Sequence, residues 1–178
     1  MIKLRKVNPE VYFATQFPAV IGPSEIDWLK YQAGRSSRKR CRICLHSDER
    51  EDLQETLLVY RQETFNRPNR HPVHESFHVV EGRVDVFFFE VTGELKNWVA
   101  IGDKSTGLPF ACRFPIMTYH TMIVRSEWLV LHETCHGPFV RGETTLYAPW
   151  APDESDLVGQ AQFLNKLEAH VFVDREVR

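Results

Sequence analysis

The chain has 178 residues, of which 43% are hydrophobic and 12% aromatic. This composition suits one globular domain with a substantial core and excludes a disordered chain. The formal net charge is −2, so no overall positive field attracts nucleic acid. The first residues lack the apolar stretch of a signal peptide, and no window has the length of a membrane span. We therefore expect a cytoplasmic protein that binds neither nucleic acid nor membranes.

The N-terminal part is predicted to be an extended arm followed by a short helix. Residues 1–23 contain three prolines and scattered aromatics, a pattern that favours an arm or edge strand packed on the body. The stretch 24–34 has helical apolar spacing, with Ser24 as the predicted N-cap and Gly34 as the predicted end. Residues 1–37 would thus form an arm and helix against the main domain.

The middle of the chain, residues 38–139, has the pattern of a β domain. Gly, Pro and Asp residues separate short apolar runs, and no helical pattern intervenes. Many short strands at this spacing predict an antiparallel sandwich or barrel. The runs are 56–60, 76–80, 83–90, 95–101, 110–116, 120–124 and 127–133.

The final part, residues 140–178, reads as a polar connector and a helix. The helix is predicted from Asp156 to Val171. Its apolar side chains available for burial are Leu157, Phe163, Leu164, Leu167 and Val171. All three parts are expected to belong to a single globular unit.

The four cysteines are predicted to be reduced thiols. Cys41 and Cys44 have Cys-x-x-Cys spacing, but the stretch around them resembles a strand, in which residues three apart face opposite sides. Cys112 and Cys135 are not paired at that spacing. Neither a zinc site nor a thioredoxin-type site is therefore indicated.

The segment 67–82 carries the strongest functional signal, with three histidines and two glutamates. If it alternates as a strand, Asn69, His71 and Glu75 share one face. Neutral imidazole nitrogen together with carboxylate oxygen suits zinc, iron, manganese or nickel. The other interpretation is an exposed His–Glu pair on a hydrophilic edge.

Other histidines are weaker candidates. His74 and His78 have the opposite parity to His71. Because Pro72 interrupts the strand, His74 could still be a ligand or a proton-transfer group. His78 is expected to face outward. His120 follows an aromatic-rich stretch and is either a third ligand or a satisfied core residue. His132 and His136 lie on either side of Glu133, and we expect them to have surface or supporting roles.

Three further residues are candidate substrate contacts. Arg67 and Arg70 could bind an anionic substrate at a pocket mouth or remain solvated charges. Tyr119 lies beside His120, but adjacent residues of a strand face opposite sides.

Two motifs resemble those of the cupin superfamily. Asn69-Arg-His71-Pro-Val-His-Glu75, followed by six residues and Gly82, resembles the first cupin motif, and Pro115-Ile-Met117-Thr-Tyr-His120 resembles the second. The flanks, including residues 132–139 and 147–154, are similar to those of WbuC-type cupin-fold metalloproteins. Asn69 stands where the family has its first histidine, and Met117 replaces the glycine before the last ligand.

The resemblance implies an all-β, cupin-type double-stranded β-helix (a jelly-roll barrel) with short N- and C-terminal helices. It implies a divalent transition metal inside, held by His71, Glu75 and His120, with Asn69 as a weak substitute ligand. Some members are associated with surface-polysaccharide genes, so a sugar or other small polar ligand is expected. Isomerase, epimerase and oxygenase chemistry all fit, with Glu75 or His74 as proton-transfer candidates.

Two alternatives remain at this point. One is a cupin that binds a metal or small molecule without catalysis, which the loss of a histidine at Asn69 favours. The other is a metal-free sugar epimerase or isomerase. A homodimer joined at sheet edges and a monomer fit the sequence equally well.

Overall fold

The computed structural model describes the backbone of residues 1–176 and the side chains up to residue 172. The last two residues of the predicted C-terminal segment lie outside the described residues. The N-terminal elements are β1 (Leu4–Asn8), β2 (Val11–Ala14), α1 (Pro23–Arg35) and β3 (Arg40–Cys44). The central strands are β4 (Leu53–Arg61), β5 (Asn69–Arg70), β6 (Glu75–Glu81), β7 (Arg83–Phe89), β8 (Leu95–Gly102), β9 (Ala111–Phe114), β10 (Tyr119–Val124) and β11 (Trp128–His136). A 3₁₀ turn spans Lys104–Thr106, and β12 (Leu146–Tyr147) and α2 (Leu157–Glu176) complete the order.

The strands form two sheets in a jelly-roll arrangement. One sheet has the order β1-β2-β3-β4-β11-β6-β9 and the other β12-β5-β10-β7-β8. From β4 to β11 the chain passes repeatedly between the sheets. Apart from the β7–β8 hairpin, these strands pair antiparallel with partners distant in sequence. This winding defines a double-stranded β-helix. The predicted fold class, an all-β cupin-type barrel with a helix near each end, is confirmed.

Alternation along the strands divides the apolar residues among three cores. Leu58, Val86 and Leu131 belong to the core between the two sheets. Val130, which points the other way from Leu131, packs with Leu29 of α1 on the outer face of the larger sheet. A third core joins α2 to the outer face of the smaller sheet and consists of Phe87, Phe89, Tyr119, Ala148, Ala151, Leu167 and Val171. Both helices therefore cover the outside of the barrel and leave its interior open.

The N-terminal arm adds β1 and β2 to the edge of the larger sheet. The predicted cap of α1 is wrong. The helix begins at Pro23 with Gly22 as N-cap, and the Glu25 carboxylate accepts the Gly22 N–H at 3.0 Å. Proline fits the first helical position, so Ser24 lies inside the helix. The helix also continues one residue past Gly34.

The C-terminal helix packs through only part of its predicted apolar face. Leu167 and Val171 are buried, but Leu157 is 74% exposed, so its predicted burial is wrong. Leu157 is the first residue of α2 and precedes the part of the helix that meets the sheet. Arg125 links barrel and helix because its guanidinium donates to the buried Asp85 at 2.7 Å and to Glu168 at 2.9 Å.

The cysteines follow the prediction. Cys41 packs towards α1, while Cys44, three residues along β3, faces the barrel interior. All four cysteines are free thiols. Burial raises the pKa of each of them. Neither described helix combines the length and apolar content needed to cross a membrane.

Candidate metal centre

The histidine-rich segment is not one strand but crosses from one sheet to the other. Asn69 lies in β5 of the smaller sheet, Glu75 begins β6 of the larger sheet, and residues 71–74 form the turn between them. The prediction of a single alternating strand is therefore wrong. His71 nevertheless meets Glu75, because the turn leads the chain across the opening between the sheets and His71 extends back inside.

His120 converges with this pair from the smaller sheet. The pairing of β10 with β5 places His120 opposite Asn69. His71 Nε2 lies 3.4 Å from Glu75 Oε2, and His120 Nε2 lies 3.7 Å from the same oxygen. One ligand atom from each of the three residues lies within 4.8 Å of the other two. These residues thus form a group that could hold a metal ion.

Hydrogen bonds fix the orientation of both imidazole rings. His71 Nδ1 lies 2.7 Å from the carbonyl oxygen of Thr144, and His120 Nδ1 lies 3.0 Å from that of Thr118. A carbonyl oxygen only accepts, so each ring carries a proton on Nδ1. In a neutral ring the Nε2 lone pair then points towards Glu75. A backbone carbonyl bound to the outer nitrogen is the usual arrangement for a metal-binding histidine.

The Glu75 carboxylate lacks a partner for its inward oxygen. Glu75 is 8% exposed, and its Oε2 makes no hydrogen bond. Burial raises the pKa of Glu75 to about 7 and lowers the pKa of His120 to about 4. Three electron-rich atoms therefore face one another in a poorly solvated space. A divalent cation would relieve this repulsion, so the donor set fits a metal with nitrogen and oxygen ligands.

Glu133 is a neighbouring carboxyl group that the sequence reasoning did not select. It lies opposite Phe77 in the β11–β6 register, which makes it a diagonal neighbour of Glu75 on the same face. Burial and the neighbouring charge of Glu75 raise the pKa of Glu133, and a proton on either carboxyl group would form a hydrogen bond to the other. Glu133 has the same strand parity as Leu129 and Leu131, which both belong to the inner core. This shared parity is the sequence signal that predicts an inward-facing side chain.

Asn69 occupies the position where the cupin motif has a histidine. Its side chain is buried, and its Nδ2 donates to the Arg67 carbonyl at 2.9 Å. Its Oδ1 is buried without a hydrogen-bond partner. The amide group thus presents an unused neutral oxygen in the wall of the same cavity.

The cluster opens into a cavity of about 1020 Å³. Inward-facing residues of both sheets and part of the connector line it, including Cys44, Thr56, His71, His120, Glu133 and Thr144. Arg67 belongs to the lining, where its guanidinium lies over the Tyr147 ring and pairs with Asp153 at 2.8 Å. The interior is therefore large enough for a small molecule beside the cluster.

The structure does not bring the remaining candidates to the cavity. His74 and His78 are exposed. The guanidinium of Arg70 lies 4.6 Å from the Tyr119 ring centre, and neither residue is part of the cavity lining. On the outer face, the ring of His132 lies 5.7 Å from that of His78, and its Nε2 lies 3.6 Å from Glu55. His136 is exposed at the end of β11.

Fold and site together define a cupin-type barrel with a His–Glu–His cluster inside. A family model described as "Domain of unknown function (DUF6016)" matches residues 21–101, which is less than half of the chain. The chain finds no match among curated proteins.

Several solved structures are similar over part of the chain. A formate complex of Lactobacillus farciminis oxalate decarboxylase is 14% identical with a TM-score of 0.44, covering 55% of this chain and 27% of that one. Protein SO0799 from Shewanella oneidensis is 13% identical with a TM-score of 0.47, covering 55% and 63% of the two chains. Brassica napus procruciferin, an 11S globulin, is 14% identical with a TM-score of 0.41, covering 49% and 21%. This chain therefore spans less than two thirds of each of these proteins. At such identities and scores the likenesses carry no information about activity or substrate.

Proposed function

We propose that this protein is a cupin-fold metalloprotein in which His71, Glu75 and His120 bind a divalent transition metal next to a small-molecule cavity. One observation carries the proposal: the unpaired, buried Oε2 of Glu75 faces the Nε2 atoms of two histidines whose outer nitrogens are already bonded. Without a cation or a bound proton, this arrangement costs desolvation energy with no compensating contact.

The ligand set would leave room for a substrate. Three protein ligands are the number typical of catalytic metal sites, whose remaining positions take water or substrate. Asn69 adds an unpaired amide oxygen in the same wall, as a weak neutral ligand or as an acceptor for a bound water. A bound divalent ion would polarise a carbonyl or hydroxyl group of the substrate.

The chain's own groups supply proton transfer and positioning. The Glu75–Glu133 pair lies beside the cluster and can hold a proton between its two carboxyl groups. Both groups belong to the cavity wall, so a ligand in the cavity would contact them. His74, the other proton-transfer candidate from the sequence, is exposed, and we assign the role to Glu133 instead.

The substrate is proposed to be a sugar or other small polar molecule. The cavity volume of about 1020 Å³ is at the upper end of the range of about 300–1000 Å³ for small-molecule sites. The resemblance of the flanking sequences to WbuC-type cupins supports a role linked to surface polysaccharides, with isomerase, epimerase or oxygenase chemistry. Arg67 lines the cavity and remains a proposed substrate contact.

Metal analysis of protein purified without chelator tests the proposal. We expect close to one transition-metal ion per chain in the wild type and a marked loss in His71→Ala and His120→Ala. His78→Ala is the matched control, because His78 lies in the same segment but is exposed. An unchanged metal content in both ligand variants would refute the proposed set.

A further inference from the structure

The arginines of the cavity wall differ in whether their charge is neutralised. Arg38 donates to Glu10 at 2.9 Å and to Glu154 at 3.2 Å, and Arg40 donates to Glu154 at 3.3 Å. Arg67 is paired with Asp153. Each of these side chains therefore already has a counter-charge from the protein's own carboxylates.

Arg42 lines the same cavity without such a partner. It lies in β3 opposite Leu58, so its side chain shares the inward face of the larger sheet. It is half-buried, its Nε is enclosed without a hydrogen-bond partner, and within the described residues it forms no ion pair. A guanidinium partly withdrawn from water without a hydrogen-bonded carboxylate costs free energy that a bound anion would recover.

The distance between Arg42 and the His71–Glu75–His120 cluster sets the length of a ligand that could contact both. Along the sheet the order is β3, β4, β11, β6, so three strand spacings separate Arg42 from Glu75. The register places Arg42 level with Val79 of β6, four residues from Glu75. The two backbones are therefore about 14 Å apart across the strands and about 13 Å apart along them, and the two side chains shorten this separation from both ends. Glu133 lies on the intervening strand β11, close enough to experience the positive charge of Arg42. The gap suits a ligand of monosaccharide size rather than a bare ion.

We propose that Arg42 is the anion-binding residue of the cavity and that the ligand is a small molecule with a carboxylate or phosphate at one end. The planar guanidinium matches both groups through two parallel hydrogen bonds. That the other end of the ligand reaches His71, Glu75 and His120 rests on the proposed metal-dependent function. Anion binding at Arg42 itself does not depend on it.

Titration calorimetry with three matched probes tests this inference. D-glucose is neutral, D-gluconate carries a carboxylate and D-glucose 6-phosphate carries a phosphate on a similar skeleton. We expect at least one anionic probe to bind at millimolar concentration and D-glucose not to bind. Arg42→Gln should weaken that binding about tenfold or more, as the loss of a charged hydrogen-bonded pair implies. Arg141→Gln is the control, because Arg141 lines the cavity but is exposed.

The outcomes separate the two proposals. Failure of both anionic probes to bind, equal binding of D-glucose, or an unchanged affinity in Arg42→Gln would overturn the role of Arg42. Binding that depends on Arg42 in a protein that takes up no metal would support the anion site and refute the metal-dependent function. Arg42→Lys is a second variant that keeps the charge, in case Arg42→Gln fails to fold. It should bind the anion more weakly than the wild type.

Discussion

The carboxyl groups of Glu75 and Glu133 are diagonal neighbours on the inner face of adjacent strands, β6 and β11, so that one proton could be held between them. Burial raises the pKa of both groups, and the charge of Glu75 raises that of Glu133 further, so the pair retains a proton to a higher pH than either group would in water. One member is a proposed metal ligand, and the other lines the cavity towards Arg42. If Glu75 binds a metal as proposed, the pair would couple metal binding to proton binding.

This coupling predicts how the stability of chelator-treated protein changes with pH. The pKa of Glu75 rises from 4.5 to about 7 on folding, so the folded protein binds a proton that the unfolded chain has released. Stability then falls as pH rises through this interval. His120 opposes the effect at lower pH, because its pKa falls from 6.5 to about 4 and stability rises with pH between those values.

Above pH 6.5 the carboxyl pair dominates this change, because the opposing contributions of His120 and His46 are levelling off. We expect the free energy of unfolding, measured by urea denaturation, to decrease from pH 6.5 to pH 8 by on the order of 1 kcal/mol. Glu133→Gln should reduce the decrease, while Glu94→Gln, which changes an exposed carboxyl group, should not. A decrease of equal size in Glu133→Gln would show that the pair does not hold the proton.

Asn69→His restores the residue that the cupin motif has at this position. Asn69 faces His120 across the β5–β10 pair, so an imidazole there would provide a fourth protein ligand. We expect metal affinity, measured by competition with a chromophoric chelator, to increase about tenfold or more. Asn66→His adds an imidazole at another position in the cavity lining and should have little effect. An equal affinity in Asn69→His and wild type would place residue 69 outside the ligand set.

Thr144 positions His71 through its backbone and is itself held by its side chain. Its carbonyl accepts the His71 Nδ1–H, and its hydroxyl oxygen accepts the Val140 N–H at 2.8 Å. Thr144→Val keeps the side-chain shape but removes this second bond, which should loosen the loop and weaken metal binding about tenfold. Thr145→Val is the matched control in the adjacent position. If both variants bind metal like the wild type, the loop does not orient His71.

Met117 adopts a backbone conformation that favours glycine. Its φ is 57°, and its N–H donates to the His71 carbonyl at 2.8 Å. Met117→Gly should remove the left-handed strain and raise the free energy of unfolding by about 0.5–1 kcal/mol after the entropy cost of glycine. Ile116→Gly, next to it and also exposed, lacks a positive φ and should be destabilising. A loss of stability in Met117→Gly would contradict this account of the turn.

The sequence predicted the barrel because its strands are short, apolar and separated by turn residues. It also indicated His71 and Glu75, although that prediction assumed a single alternating strand that the structure does not have. A strand period of two gives both residues the same parity, whereas the actual chain leaves one sheet at Arg70 and enters the other at Glu75. The two residues meet because the sheets face each other.

Residues brought in by long-range pairing were harder to predict. The convergence of His120 depends on the β5–β10 register, which no local pattern specifies. Glu133 has the same strand parity as two leucines of the inner core, but the histidines on either side of it indicated a surface stretch. Arg42 sits in a basic run whose members look alike in sequence, and only the positions of Glu10 and Glu154 reveal which arginines are paired.

Three side chains, His71, Glu75 and His120, are proposed to bind one metal ion inside the barrel. Anomalous X-ray diffraction from crystals grown with cobalt or manganese tests it most directly. We predict a single strong peak in the cavity, about 2.0–2.2 Å from His71 Nε2, His120 Nε2 and a Glu75 carboxylate oxygen. A cavity without a peak at saturating metal, or a peak bonded to other residues, would contradict the claim.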